Sequence, residues 1–371
     1  MILQSILIYG LVLSVLYICG KIASLRTRKL IPGNISFNYW ESWIPIFFFA
    51  IIFGLRYDVG TDHLGYLSTY QTGINVDRYE YIFQYITVLF RSYNLHFFWY
   101  FALWAFIQIF SVYYALKDER YLLPYVAISL MMGQYFIHWM NGIRQDLAAC
   151  IFFYAVTFII DKKFFKYLLC CIIAFGFHKS AILLVALYPI LSSAKDLTFN
   201  RLIQFIILSC AFVVAITKRD FMSELFPIIN YFTAQLDYGV YSERVIESYV
   251  DKTKAGDGMS VRILFLINIL IIYYAPKMKR RFQSNKFTIY YNLYYWGAVF
   301  QLFFINNLLL ARPFRYFRLF NMLMIAYLLY YLCKPKLTKK NFVVLSIVML
   351  LLLLLFAATI INEPFYFLWN K

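Results

Sequence analysis

FVVLSIVMLLLLLLFAATII, Phe342 to Ile361, contains no charged residue, no Pro and no Gly. As an α-helix rising 1.5 Å per residue it is about 30 Å long, which matches the hydrocarbon core of a bilayer. In that medium each backbone N–H and C=O must be paired within the segment, and a helix meets this demand by itself. Similar runs lie at Ile2 to Cys19, Tyr121 to Ile137 and Leu147 to Ile160, with a shorter one at Trp43 to Leu55. Of 371 residues, 63% are hydrophobic and 14% charged, with a mean hydropathy of +0.67. That leaves too little polar surface to wrap a water-soluble globule of this size. The expected fold is an all-α polytopic integral membrane protein with about 12 transmembrane segments, some broken or re-entrant. It forms a single transmembrane domain over residues 1–371. Ile2 to Cys19 has no basic flank and no small-residue cleavage pattern, so it is expected to be a retained helix rather than a signal peptide.

The net charge of +17 is a matter of topology, and no nucleic-acid partner is expected. With Trp43 to Leu55 running outward, the connections 20–42, 117–120, 161–166, 192–201, 276–286 and 334–340 share one side. They hold 20 of the 35 Lys and Arg, the bias of cytoplasmic loops. The external loops are then 56–96, 140–145, 218–260 and 306–315. Acids concentrate on that side, Glu224, Asp237, Glu243, Glu247, Asp251 and Asp257 in the long loop alone. Tyr167 to Leu191 is long for one crossing and short for two, yet an even number is required. The spacing predicts a broken or re-entrant pair turning near His178.

Six cysteines are scattered through apolar segments without a CxxC, and the four histidines lack metal-site spacing. Neither GxxxxGKS nor GxGxxG occurs, so an ATP-driven pump is not indicated. No metal and no cofactor are expected.

Polar residues at the ends of apolar segments are the functional candidates, because a guanidinium at bilayer depth costs about 3 kcal/mol or more. The first group is GLRYDVGTDHLGY, residues 54–66, with Arg56 beside Asp58 and Asp62. The second is Gln134, His138, Asn141 and Gln145, which a continuous helix carries on one face with Arg144 beside them, whereas an interruption at Gly142 loosens the alignment and leaves Asn141, Arg144 and Gln145 together at the boundary. Interhelical hydrogen bonding explains Gln134 and His138 equally well, but Arg144 needs an anion, and only Asp146 is near in sequence. The third is FHKSA, residues 177–181, with His178 where topology calls for a break. The fourth is ARPFRYFR, residues 311–318. Pro313 is expected to open a helix with Arg315 and Arg318 on one flank and Arg312 just before it. Arginines from separate segments on one side suit a phosphate-bearing lipid substrate, with charge stabilised as a pyrophosphate departs.

In their order, GLRYDVGTDHLGY, NGIRQDLA (141–148) and AFGFHKSA (174–181) resemble the EpsG-type branch of the Wzy polysaccharide polymerases. Arg312 to Phe317 resembles the Arg-and-aromatic motif near the end of that family. His63 stands where an aromatic such as Tyr is the family pattern. The resemblance implies a multi-pass enzyme of the bacterial plasma (inner) membrane, in O-antigen, capsule or exopolysaccharide assembly, with its active site facing the periplasm or cell exterior. Its substrate is an undecaprenyl pyrophosphate-linked oligosaccharide. The glycan passes to the non-reducing end of the next lipid-linked unit without metal or nucleotide sugar, alongside a flippase and a chain-length regulator.

Within this reading His178, Asp62, Arg56 and Arg144 are the catalytic candidates. Asp58, Tyr66, Asn141, Gln145, Ser180, Arg312, Arg315 and Arg318 are the substrate-binding ones. The base is His178 or Asp62. An O-antigen ligase, a membrane acyltransferase and a lipid-linked oligosaccharide flippase or transporter remain as alternatives. The last should show internal duplication, of which the sequence offers no convincing sign.

Overall fold

The computed structural model describes residues 2–27, 37, 39–217, 258–306, 308–333 and 338–369. The acidic residues expected in the long external loop therefore lie outside the described residues. The described elements are helical, apart from an isolated backbone bridge between Arg56 and Phe367. In chain order they are α1 (Ile2–Thr27), α2 (Trp40–Gly54), α3 (His63–Thr72), α4 (Tyr81–Ser92), α5 (Phe97–Ala115), α6 (Leu123–Met132), α7 (Tyr135–Asn141) and α8 (Ile143–Ile160). There follow α9 (Phe164–Phe177), a 3-10 helix Lys179–Ala186, α10 (Leu187–Leu191), α11 (Arg201–Thr217), α12 (Met259–Arg281) and α13 (Asn285–Phe303). The chain ends with α14 (Leu308–Ala311), a 3-10 helix Arg312–Phe317, α15 (Arg318–Cys333) and α16 (Lys339–Asn362).

Among the described residues six helical stretches are long and apolar enough to cross a membrane: Ile2–Arg26, Phe97–Ala115, Ile143–Ile160, Met259–Arg281, Arg312–Cys333 and Lys339–Asn362. The chain is a multi-pass membrane protein. Its outermost helices show why apolar residues remain exposed. On α1, Tyr9, Val12, Leu16, Cys19 and Ala23 are buried at spacings of three and four, while Leu3, Leu7, Leu11 and Ile18 face outward. On α16, Val348, Leu352 and Leu355 pack inward, and Leu350, Leu353 and Leu354 face the lipid side.

The inner helices follow another rule. Helix α13 is rich in Tyr and does not reach the hydropathy of a span, yet Tyr290, Tyr291, Tyr294 and Tyr295 are fully buried. Most of its buried polar side chains are met by neighbouring elements, though the Tyr290 hydroxyl has no hydrogen-bond partner among the described residues. The Tyr291 hydroxyl donates to Gln204 Oε1 at 2.6 Å, Tyr294 pairs with Asn268 Oδ1 at 3.1 Å, and Asn292 Nδ2 donates to the Lys195 carbonyl at 2.8 Å. Buried hydroxyls and amides are tolerated when hydrogen-bonded. This helix is therefore shielded from lipid by protein.

Polar contacts collect at the two ends of the bundle. At one end Glu41, fully buried, lies 3.1 Å from Arg26 and 3.9 Å from Arg120, and Lys286 meets Glu119 at 2.8 Å. Lys279 meets Asp196 at 2.5 Å. At the other end the segment after α16 runs back over the start of α1 and the exit of α2. Phe365 N–H donates to Ser5 Oγ, Tyr57 N–H to the Tyr366 carbonyl, and Leu368 N–H to the Leu55 carbonyl.

Helix α9 ends at Phe177 and His178 is extended, so the interruption expected near this residue is present. The chain then doubles back. The Tyr167 hydroxyl donates to the Leu184 carbonyl, and the rings of Phe164 and Tyr188 meet at 4.9 Å. The α7–α8 stretch is not one helix. Gln134 takes a left-handed φ of 67° and Gly142 separates α7 from α8, so the expected single face from Gln134 to Gln145 does not form. The Gln134 amide instead donates to the Leu355 carbonyl at 2.9 Å, joining α7 to α16.

Replacing Glu41 by Ala should leave two guanidiniums without their shared carboxylate, a loss of about 3–5 kcal/mol. A clear fall in the thermal unfolding midpoint of the purified protein is the expected readout, and an unchanged midpoint would contradict the account of this triad.

Candidate active site

Four segments distant in sequence meet at the end of the bundle crossed by the C-terminal strap. The first is the turn after α2. Gly60 adopts φ +93°, its N–H donates to Glu363 Oε2 at 3.2 Å, and a Cβ there would lie 2.4 Å from Asn141 Oδ1. Both the positive φ and this close approach demand glycine. The turn is thereby seated on the end of α7, with Asp62 exposed at the start of α3.

Arg144 lies in the first turn of α8, and its anion comes from a distant part of the chain. Glu80, at the start of α4, places Oε2 2.6 Å from Arg144 Nη1 and is itself 9% exposed. The Tyr66 hydroxyl also acts electrostatically on the guanidinium, and the Tyr79 ring lies beneath it at 4.9 Å. One cation thus draws α3, α4 and α8 together.

The turn between α9 and the following 3-10 helix supplies the third part. His178 Nδ1 lies 2.8 Å from Ser180 Oγ and 3.2 Å from the Tyr316 hydroxyl, and Ser180 Oγ lies 2.9 Å from the same hydroxyl. Three polar groups close a triangle around Nδ1, which leaves Nε2 as the nitrogen available to a ligand.

The fourth part is the arginine run. Pro313 does open a helix, but Arg312–Phe317 is 3-10 and the α-helix begins at Arg318. In a 3-10 helix residues three apart eclipse one another, so a spacing of three keeps Arg312 and Arg315 on one flank leading to Arg318. Side-chain amides hold the segment: Gln145 Nε2 donates to the Arg312 carbonyl at 2.6 Å, and Gln301 Nε2 to the Phe314 carbonyl at 2.8 Å. The buried Asp146 carboxylate interacts electrostatically with Arg318 and Arg315.

These parts form one electrostatic unit. The charges of Glu80, Arg144, Arg312 and Arg315 all act on His178. Partial desolvation beside the neighbouring segments holds the Asp62 carboxyl above its usual range although the residue stays exposed, while Arg315, Arg144 and Arg312 pull it the other way. Among the described residues no three of His, Cys, Asp and Glu gather as a metal centre. Guanidiniums predominate, and they suit an anion with several oxygens.

The structure brings together Asp62, Tyr66, Asn141, Arg144, Gln145, His178, Ser180, Arg312, Arg315 and Arg318 around this place. Arg56 does not join them. It is 1% exposed, its Nη1 donates to the Phe53 carbonyl at 2.8 Å, and its guanidinium lies over the Phe101 ring at 4.9 Å, so it packs between α2, α5 and the C-terminal strap. Asp58 is exposed and interacts with Glu363. His63 is fully buried and stacks on Phe101 at 4.5 Å. It fills the place of an aromatic ring.

Glu80 and Tyr316 are the members that sequence reasoning missed, and Asp146, the carboxylate nearest Arg144 in sequence, interacts with Arg318 and Arg315 instead. The need of Arg144 for an anion was the available signal, but it did not say which of the carboxylates would answer. Tyr316 sits inside a string already singled out, where its hydroxyl is indistinguishable from one in an aromatic belt.

A family model described as the EpsG family matches residues 40–370. No curated protein and no solved structure matches the chain.

Burial, and secondarily Arg56, push the His63 imidazole down to about 3. The unfolded value is about 6.5, so this group favours the fold above that pH and progressively disfavours it as pH falls toward 3. His63→Phe should keep the stack on Phe101, retain function, and lessen the loss of thermal stability between pH 7 and pH 5. Loss of function in that variant would show that the imidazole does more than pack.

Proposed function

The chain belongs to the EpsG family, a Wzy-type polymerase-like family, and on that premise we propose that it is a polysaccharide polymerase acting on undecaprenyl pyrophosphate-linked oligosaccharides. It transfers the glycan from one lipid carrier to the non-reducing end of the next lipid-linked repeat unit, at the outer face of the bacterial plasma membrane. The carrying observation is that Asp62, Arg144, His178 and the Arg312–Arg318 run, spread over more than half the sequence, converge on one electrostatic unit. Orientation is supported by charge: Arg26, Arg120, Lys279 and Lys286 lie at the opposite end of the bundle, which the positive-inside bias assigns to the cytoplasm. Twelve crossings are counted by adding α13, α2, α6, α9, α11 and the 179–191 segment, each shorter or less apolar than a full span, to the six long ones.

In the reaction an acceptor hydroxyl attacks the anomeric carbon of the donor glycan. The bond to undecaprenyl pyrophosphate breaks, and the hydroxyl proton passes to a base. His178 is the first choice, because Ser180 and Tyr316 anchor Nδ1 and give Nε2 a fixed direction. Asp62 is the second. Arg312, Arg315 and Arg144 hold the pyrophosphate and offset the charge that develops as it departs. Asn141, Gln145, Ser180 and Tyr66 border the same space and supply hydrogen bonds to glycan or phosphate. The reaction as written needs no metal and no nucleotide sugar. A flippase that delivers the lipid-linked units and a chain-length regulator are the expected partners.

Arg144→Ala and His178→Ala should each abolish long-chain polysaccharide while single repeat units still appear and the protein still inserts in the membrane. A normal chain-length ladder from both variants would overturn the proposal.

A further inference from the structure

Glu80 opens α4 without capping it, because its carboxylate is directed into the site instead. Oε2 takes the Arg144 guanidinium at 2.6 Å, and Oε1 faces the backbone N–H of Lys179 at 3.4 Å, the residue after His178. One carboxylate therefore touches both the anion-binding arginine and the turn that carries the base. Its placement is rigid. A Cβ on Gly176 of α9 would lie 2.4 Å from Ile82 Cδ1, so α4 rests directly on the last turn of α9, two residues from His178. Arg144 is not sealed in by the contact, since 28% of its side chain stays exposed, while its Nε–H is buried without a hydrogen-bond partner among the described residues.

We propose that Glu80 is a positioning residue that holds the Arg144 guanidinium ready in the empty site and gives it up to the substrate's pyrophosphate. This rests on the polymerase reading above. Held by a carboxylate, a hydroxyl and a ring, the guanidinium has one orientation before substrate arrives, and its partner carries a single charge. A pyrophosphate carries more charge on more oxygens, and so displaces the carboxylate from a guanidinium that is already aimed. Glu80 consequently acts in two opposed ways: it competes with the ligand, which weakens binding, and it fixes geometry, which speeds the chemical step. A residue that merely supports the fold has neither signature.

The test uses the full chain purified into zwitterionic-lipid nanodiscs. Binding of undecaprenyl pyrophosphate and turnover of a lipid-linked repeat unit are measured on the same preparations. Glu80→Gln, close to isosteric, should bind the pyrophosphate about tenfold tighter and turn over roughly tenfold or more slowly, a fall in kcat and in KM together. Glu80→Asp keeps the charge on a shorter arm, and should restore wild-type affinity while kcat stays low. Arg144→Gln should bind weakly, and adding Glu80→Gln to it should change affinity no further, since the competition acts through Arg144. Unchanged or weaker binding by Glu80→Gln in a folded preparation, or an equal effect of it with and without Arg144, would overturn the inference alone. A wild-type protein that binds no undecaprenyl pyrophosphate would overturn the polymerase reading together with it.

Discussion

A guanidinium among packed helices has to be met by an anion or by other acceptors, and the site depends on how Arg144 is met. Its partner, Glu80, begins a different helix, and the pair at 2.6 Å ties α8 to α4. The Tyr66 hydroxyl and the Tyr79 ring extend the tie to α3 and the turn that follows it. The second carboxylate oxygen reaches the backbone next to His178. Arg91, which donates to the Thr69 carbonyl, and the Tyr70 hydroxyl, which donates to the Leu95 carbonyl, hold the same surface segments from the other side. The same principle operates at the far end, where Glu41 serves both Arg26 and Arg120.

The candidate groups sit where regular helix fails. Phe177 ends α9, Gly142 divides α7 from α8, and Pro313 opens a 3-10 stretch in place of an α-helix. Each interruption exposes backbone polar groups, which water or other polar groups must then satisfy. The amides of Gln145 and Gln301 do this for Arg312 and Phe314. The tighter 3-10 winding also eclipses arginines three residues apart, which an α-helix would hold on one flank but offset. Irregular backbone and function thus share a location for a physical reason.

Arg56 illustrates the limit of proximity in sequence. It stands two residues from Asp58 and six from Asp62, yet its guanidinium turns back to the Phe53 carbonyl and the Phe101 ring while Asp62 faces the arginine cluster. Gly60 lies between them with a positive φ and redirects the chain. His63 follows Asp62 directly and is nevertheless buried as a stacking ring. Alternation of direction over a tight turn separates neighbours into unrelated environments.

The sequence by itself determined the helical membrane architecture, because uncharged runs such as Phe342 to Ile361 leave no other way to pair the backbone. It also marked the break at His178, since Tyr167 to Leu191 is too long for one crossing and too short for two. The basic connections and the strings containing Asp62, Arg144, His178 and Arg312 were likewise legible from composition and order. Only the tertiary structure decided which carboxylate answers Arg144, that Tyr316 joins His178 and Ser180, that Arg56 belongs to packing, and that the chain turns at Gln134 as well as at Gly142. These depend on contacts between residues scores of positions apart, and on one-residue changes of direction at Gly60, Gln134 and Gly142. Local spacing carries no information about either.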